Sequence, residues 1–198
     1  MSTPRRPRWL PFVAAGLALV LGVAIVFGLT HQGPIESAVN ATPSGGMAPE
    51  FTGIVDWENS PPLTMSGLRG KVVLVDFWTF QCINCLHALP YVKDLYAKYG
   101  KRGFIVIGVH TPEFATERIP ENVRQAVKNL GITYPVVIDN DNRIWNAFHN
   151  RYWPAAFFAD AGGTLRFHHF GEGRYDEQDR VVAKLLAERD AATSGQGR

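Results

Sequence analysis

The chain has 198 residues, enough for one ordinary globular domain with appendages and too few for two comfortable ones. A composition of 46% hydrophobic and 19% charged residues excludes a disordered or collagen-like chain, and a formal net charge of +2 excludes a general nucleic-acid binder. Two cysteines fall short of a disulfide-stapled miniprotein and of a four-cysteine zinc site.

The mean hydropathy of −0.07 suggests a soluble protein, but it averages over unlike segments. Residues 1–8 form a basic stub with Arg5, Arg6 and Arg8, and no charge follows from Trp9 to Leu29. Those 21 residues span roughly 30 Å as a helix, the thickness of a bilayer's hydrocarbon core. Residues 9–30 are expected to be a transmembrane signal anchor, with Trp9 at the interface. The arginines keep the N-terminus cytoplasmic and export the rest to the periplasm or cell envelope. A cleaved signal peptide is the rival reading, although its apolar region normally runs about 7–15 residues. Val39-Asn40-Ala41 is a distant and mediocre cleavage site, and the surroundings of Arg5-Arg6 do not support twin-arginine export. Both main readings place the remaining chain outside the cytoplasm.

Residues 31–50 hold Gly33, Pro34, Pro43, Gly45, Gly46 and Pro49 with little periodicity, and read as a flexible linker. Asn40-Ala41-Thr42 fits a glycosylation sequon, a three-residue pattern too easily matched to weigh much. Without its three N-terminal arginines the chain carries about −1, so charge does not select a partner.

Residues 51–190 alternate strand and helix patterns. Val72–Phe77 and Phe104–Val109 are short β-branched runs, as expected of strands covered on both faces. Leu86, Leu89, Val92, Leu95 and Tyr99 between them recur at helical spacing before Gly100. Val123, Ala126, Val127 and Leu130 repeat the pattern before Gly131. Tyr134–Asp139 and Ala155–Ala159 read as strands, Thr164–Phe170 as a hairpin partner turned through Asp160-Ala-Gly-Gly163, and Val181–Leu186 as part of a final helix. The order predicts an α/β sandwich with a mixed central sheet. Residues 191–198 read as a disordered tail.

Cys82-Ile83-Asn84-Cys85 lies where the first long strand gives way to a helix. A thiol in a helix's first turn faces unpaired backbone N–H groups and the positive end of the dipole, which stabilise its thiolate. Two intervening residues bring the sulfurs within reach of a reversible disulfide, with Cys82 as the exposed nucleophile and Cys85 as the buried resolving partner. Half a zinc site would need further thiolates. Haem attachment would need His directly after the second cysteine, where Leu86 stands. A Cu(I) site using both thiolates and His87 or His110 stays open as a rival.

Gly70-Lys-Val-Val-Leu-Val-Asp-Phe-Trp78, then the cysteine pair, then Pro90, resembles a thioredoxin-fold active site. More narrowly, the chain resembles membrane-anchored TlpA-like thiol–disulfide oxidoreductases and the thioredoxin-like C-terminal domain of DipZ-type proteins. The latter likeness rests on Gly108–Phe114, Tyr152–Ala155 and Gly171–Tyr175. The resemblance implies a three-layer sandwich over residues 51–190. It also implies that Asp76 is a buried carboxylate trading a proton with Cys85, a role that a desolvated acid with a raised pKa can fill near neutral pH. A solvated strand-end Asp is the plain alternative. Trp153-Pro154 matches a cis-proline beside the disulfide, where backbone pairs with an extended substrate; a trans proline opening an edge strand is the alternative. Trp78 matches an aromatic packed under the active site, for which core packing accounts equally well.

The chain departs from thioredoxin itself at Gln81 before the first cysteine and at Ile83-Asn84 between the two. The motif belongs to neither end of a range from about −270 mV to about −120 mV, so it does not set direction. His87 is either a tuner of Cys82 or a solvated helix-surface residue. His110 and Glu113 read as loop residues that could meet a partner, and His168 and His169 as structural residues on opposite strand faces. The expectation is a thiol–disulfide oxidoreductase, a reductase by preference, acting through Cys82, Cys85 and Asp76 with Pro154, Trp153 and Trp78 in support. It needs no cofactor or metal. By the same resemblance its partners are a disulfide- or dithiol-bearing protein and a membrane electron-transfer protein of the DsbD or CcdA type. The rivals are a copper metallochaperone and a peroxiredoxin-type peroxidase; Thr79 fits the peroxidatic motif, but Val75 stands where its proline belongs.

Overall fold

The structure is a computed structural model that describes residues 45–195. The expected anchor and most of the expected linker lie outside the described residues. Among those described, no helix is long and apolar enough to cross a membrane.

Six strands form one sheet: β1 (Trp57–Glu58), β2 (Val72–Trp78), β3 (Phe104–His110), β4 (Val136–Ile138), β5 (Ala155–Ala159) and β6 (Leu165–Phe170), in the order β1-β4-β3-β2-β5-β6. β2 runs parallel to β3, and β3 to β4, whereas β1, β5 and β6 join antiparallel. The helices are α1 (Ile83–Tyr99), α2 (Pro120–Asn129), α3 (Arg143–Ala147) and α4 (Tyr175–Gly195).

All seven residues of β2 are buried because the strand is covered on both faces. Val72, Leu74 and Trp78 face one core, with Cys85, Leu89 and Val92 of α1, Val123 and Val127 of α2, and Val182, Leu185 and Leu186 of α4. Val73, Val75 and Phe77 face the other, with Ile144 and Trp145 of α3 and with Phe51, Trp57, Met65 and Leu68 from the N-terminal segment. Topology explains the division. The crossovers β2-α1-β3 and β3-α2-β4 step the same way along the sheet, so two right-handed connections lay both helices on one face. This is the α/β sandwich with a mixed central sheet that the alternating pattern predicts.

Two differences from the sequence reading have local causes. The linker's end is docked: Gly45 N–H donates to Leu165 O at 3.0 Å, Leu165 N–H to Gly46 O at 2.9 Å and Ala48 N–H to Gly163 O at 2.8 Å. Glu50, counted with that linker, accepts from Met65 and Ser66 N–H at 2.8 Å each. The final helix starts at Tyr175 and continues through Gly195, where residues 191–198 were expected to be disordered. Thr193 and Ser194 hydroxyls bond back to Arg189 and Asp190 carbonyls and hold its last turns. The predicted hairpin is present, and Gly163 (φ +77°) supplies the left-handed position that closes its turn, donating to Asp160 O.

Candidate active site

β2 ends at Trp78, and Thr79-Phe80-Gln81 turns the chain into α1. Cys82 is the N-cap of that helix, with an extended backbone (φ −79°, ψ 110°), and its sulfur accepts the Cys85 N–H at 3.2 Å. A sulfur in this place satisfies one of the helix's orphan donors and feels the positive end of its dipole. The two cysteines form a disulfide with their Cα atoms 5.2 Å apart. Cys82 is half-buried between exposed Gln81 and Ile83, while Cys85 is 4% exposed in the core under α1. The two sulfurs are thus unlike: one is half-exposed, the other is enclosed by the protein.

The Trp153–Pro154 bond is cis. Phe77 pairs with Ala155 across β2 and β5, so Pro154 stands level with Trp78 at the end of the strand that leads to Cys82. Trp153 donates its indole N–H to Thr111 O at 3.0 Å and packs on Trp145 with ring centroids 4.1 Å apart. Trp78 is buried against His110, edge to face, at a centroid distance of 5.3 Å.

Asp76 is 5% exposed on β2, on the α1 side of the sheet, with Gly108 and Ala156 as its neighbours on the flanking strands. The Trp78 and Tyr134 rings fill the space over Gly108, where an added Cβ would stand 3.0 Å from each. Over Ala156 the space stays open, as a cavity of about 470 Å³ between α1 and α4 that runs from Asp76 and Pro154 past Ala88 to exposed Asp94 and Lys98. No donor among the described residues reaches the Asp76 carboxyl, and burial alone pushes its pKa up to about 7. Burial and, secondarily, the neighbouring Asp76 charge hold the Tyr134 phenol well above its usual range.

The turn before Cys82 is fixed by a second set of buried polar groups. Thr79 Oγ1 lies 3.2 Å from His110 Nε2, and Phe80 stacks on the same imidazole at 5.6 Å. Glu117, fully buried, accepts from Gln81 N–H at 3.0 Å, Glu113 N–H at 2.7 Å and Phe114 N–H at 2.9 Å. The Gln81 side chain reaches Thr116 Oγ1 at 2.6 Å. Burial would raise the Glu117 pKa, but the hydrogen bonds from Thr79, Phe114, Glu113 and Gln81 outweigh it and hold the carboxyl below its usual range. Burial lowers His110 to about 4, so it is a neutral imidazole at physiological pH.

The structure therefore brings Cys82, Cys85, Pro154, Trp153 and Trp78 to one end of the sheet, with Asp76 beneath. The expectation for His110 is corrected, and those for Glu113, for His87 as a helix-surface residue, and for His168 and His169 hold. His110 is no loop residue open to a partner: it ends β3 and is fully buried, since its ring closes the space between Trp78 and Phe80. Glu113 is exposed. His87 is on the surface of α1, 3.1 Å from Glu172, and neither it nor His110 converges on the thiols as a third ligand. Among the described residues no group of three or more His, Cys, Asp or Glu side chains is arranged to hold a metal ion. His168 stacks on Phe157 and His169 lies toward Glu172 O, on opposite faces of β6. Glu117 escaped the sequence reading altogether. The one signal was a carboxylate between apolar Phe114 and Ile119, a pattern that any solvated turn also gives.

Comparison with known proteins agrees with this geometry. Residues 44–168 match the AhpC/TSA family. Protein DipZ of Mycobacterium tuberculosis is 49% identical over 146 residues, 72% of this chain and 21% of that protein, so the chain spans about a fifth of the relative's length. The thiol-disulfide oxidoreductase YkuV of Bacillus subtilis is 30% identical over 140 residues, covering 71% of this chain and 94% of that one. The solution structure of a thioredoxin-like protein in the oxidised form superposes with a TM-score of 0.68 at 30% identity, over 74% of this chain and 99% of the other. With its cysteine pair at a helix N-terminus beside a cis-proline, and with homologues that are thiol–disulfide oxidoreductases of the thioredoxin type, the chain belongs to the AhpC/TSA family in its thioredoxin-like form.

Proposed function

We propose that this chain is a membrane-tethered, extracytoplasmic thiol–disulfide oxidoreductase that reduces disulfides in protein partners. The observation that carries the reading is the asymmetry of the pair: a half-exposed Cys82 at the helix N-cap and a buried Cys85 over a buried acid. In the reduced chain, the Cys82 thiolate attacks one sulfur of the partner's disulfide. A Cys82–partner bond forms, the partner's S–S bond breaks, and its other sulfur leaves as a thiolate that takes a proton from water. Asp76, about half ionised near pH 7, accepts the Cys85 proton. The Cys85 thiolate then attacks Cys82 Sγ, closing the Cys82–Cys85 disulfide and breaking the Cys82–partner bond; the partner's second sulfur leaves as a thiolate that takes a proton from water, completing the dithiol. Two electrons have passed from chain to partner. The cavity between α1 and α4 gives Asp76 a way to return its proton to solvent.

The chain before the cis-proline, at exposed Tyr152 and half-buried Trp153, is suited to pair with an extended substrate segment. The uncharged run from Trp9 to Leu29 supports tethering, and the likeness to DipZ supports a membrane electron-transfer protein of the DsbD or CcdA type as the source of electrons.

Trapping tests the reading. The Cys85→Ser chain, incubated with a disulfide-bearing protein such as insulin, is expected to accumulate a mixed disulfide at Cys82. Absence of that adduct, with tight stoichiometric Cu(I) uptake by the unmutated reduced chain, would favour a metallochaperone instead.

A further inference from the structure

The pre-cysteine turn is held by groups that the disulfide chemistry itself does not use. Glu117 Oε1 grips the N–H of Gln81, one residue before Cys82, while Oε2 binds the N–H groups of Glu113 and Phe114. Thr116, in the same short turn, holds the Gln81 side chain. A buried carboxylate bound by several N–H groups stays ionised. Among the described residues no cation pairs with it: Arg118 turns away to Asn140 O, and His110 is neutral. Among the described residues, the other charged or titratable groups around the cysteine turn are Asp76 beneath it, exposed Glu113, and exposed His87, which pairs with Glu172.

We propose that Glu117 is the positioning residue of Cys82: it fixes the turn that presents the thiol and sets a permanent negative charge behind it, opposing the helix dipole and making the thiolate harder to form. The inference rests on the reading of Cys82 as the attacking thiol. It predicts a chain biased toward donating electrons, because a less stable thiolate favours the disulfide form of the pair.

The test is the pH dependence of Cys82 alkylation by iodoacetamide in the reduced full chain, with Cys85 replaced by Ser. Glu117→Gln removes the charge, and alkylation at pH 6 is expected to rise about threefold to tenfold, with the profile displaced to lower pH. Glu117→Asp keeps the charge and is expected to stay within about twofold of the parent. Unchanged rates in the Gln variant, or an equal rise in the Asp variant, would overturn the proposal. Where the Gln variant does not fold, the parent chain decides. Its Cys82 is expected to react at pH 6 less than about tenfold faster than free cysteine, and a larger excess contradicts the opposing charge. The mixed-disulfide trap is read separately, so failure of the oxidoreductase reading and failure of this proposal give different results.

Discussion

Asp76 and Glu117 are both buried carboxylates beside the cysteine turn, and their surroundings act on them in opposite directions. Asp76 receives no donor among the described residues and is pushed up to about 7 by burial, a value suited to exchanging a proton near neutral pH. Glu117 is buried at least as deeply, yet hydrogen bonds from the turn outweigh desolvation and hold it ionised. The contrast shows that burial fixes the sign of a carboxyl shift only where donors are missing. One acid is suited to carry a proton, the other to hold a charge.

The largest expected effect comes from Asp76→Asn. The unfolded group ionises at 3.8 and the folded one at about 7, so the folded state binds more protons between those values. Wild-type stability should therefore fall as pH rises from about 4 to about 7 and stay low above that, by about 4 kcal/mol for this group. In the oxidised chain the Asn variant should lack that fall and be the more stable protein at pH 8, as read by denaturant titration. In the reduced chain, insulin reduction at pH 7 should slow about a hundredfold. A variant no more stable at pH 8 would break the contrast at its first member.

Glu117→Gln should move stability the other way, because an amide oxygen serves the three N–H groups less well than a carboxylate. A loss of about 2 kcal/mol at pH 7 is expected. Since the folded pKa is lowered, the wild-type contribution is present above about 4.5 and disappears as pH falls through the folded value, opposite in sense to Asp76. Denaturation of the two variants across pH 3–8 would sharpen the comparison. Trp153→Phe touches neither acid; it removes the indole bond to Thr111 O and should cost about 1 kcal/mol with no new pH dependence. His87→Ala, which breaks an exposed pair with Glu172, should change stability by less than about 0.5 kcal/mol and leave the Asp76 profile in place.

The parts of the fold that were legible in sequence are those with a period long enough to read. β2 and β3 announce themselves as β-branched runs, α1 by five apolar residues at helical spacing, and β5–β6 by the glycine turn between them. β1 was missed because two residues carry no alternation; its place depends on pairing with β4, far away in sequence. α3 has five residues, too few for an amphipathic signal, and is capped by Asp139, which accepts the Ile144 and Trp145 N–H groups. In the site, the cysteine pair is legible because its chemistry is local, and Asp76 because an acid between Val75 and Phe77 matches the carboxylate that the thioredoxin resemblance implies. Glu117 and His110 are different. Their burial comes from the β3–α2 connection folding back over the turn before Cys82, a tertiary event with no spacing to betray it.

The contrast between the two acids can be tested by following their side-chain carboxyl carbons by NMR as the oxidised full chain is titrated from pH 3 to 9. A midpoint near 7 is expected for Asp76 and a midpoint below the ordinary carboxylate range for Glu117. Two ordinary midpoints, or an Asp76 already ionised at about pH 4 as in an unfolded chain, would contradict the contrast.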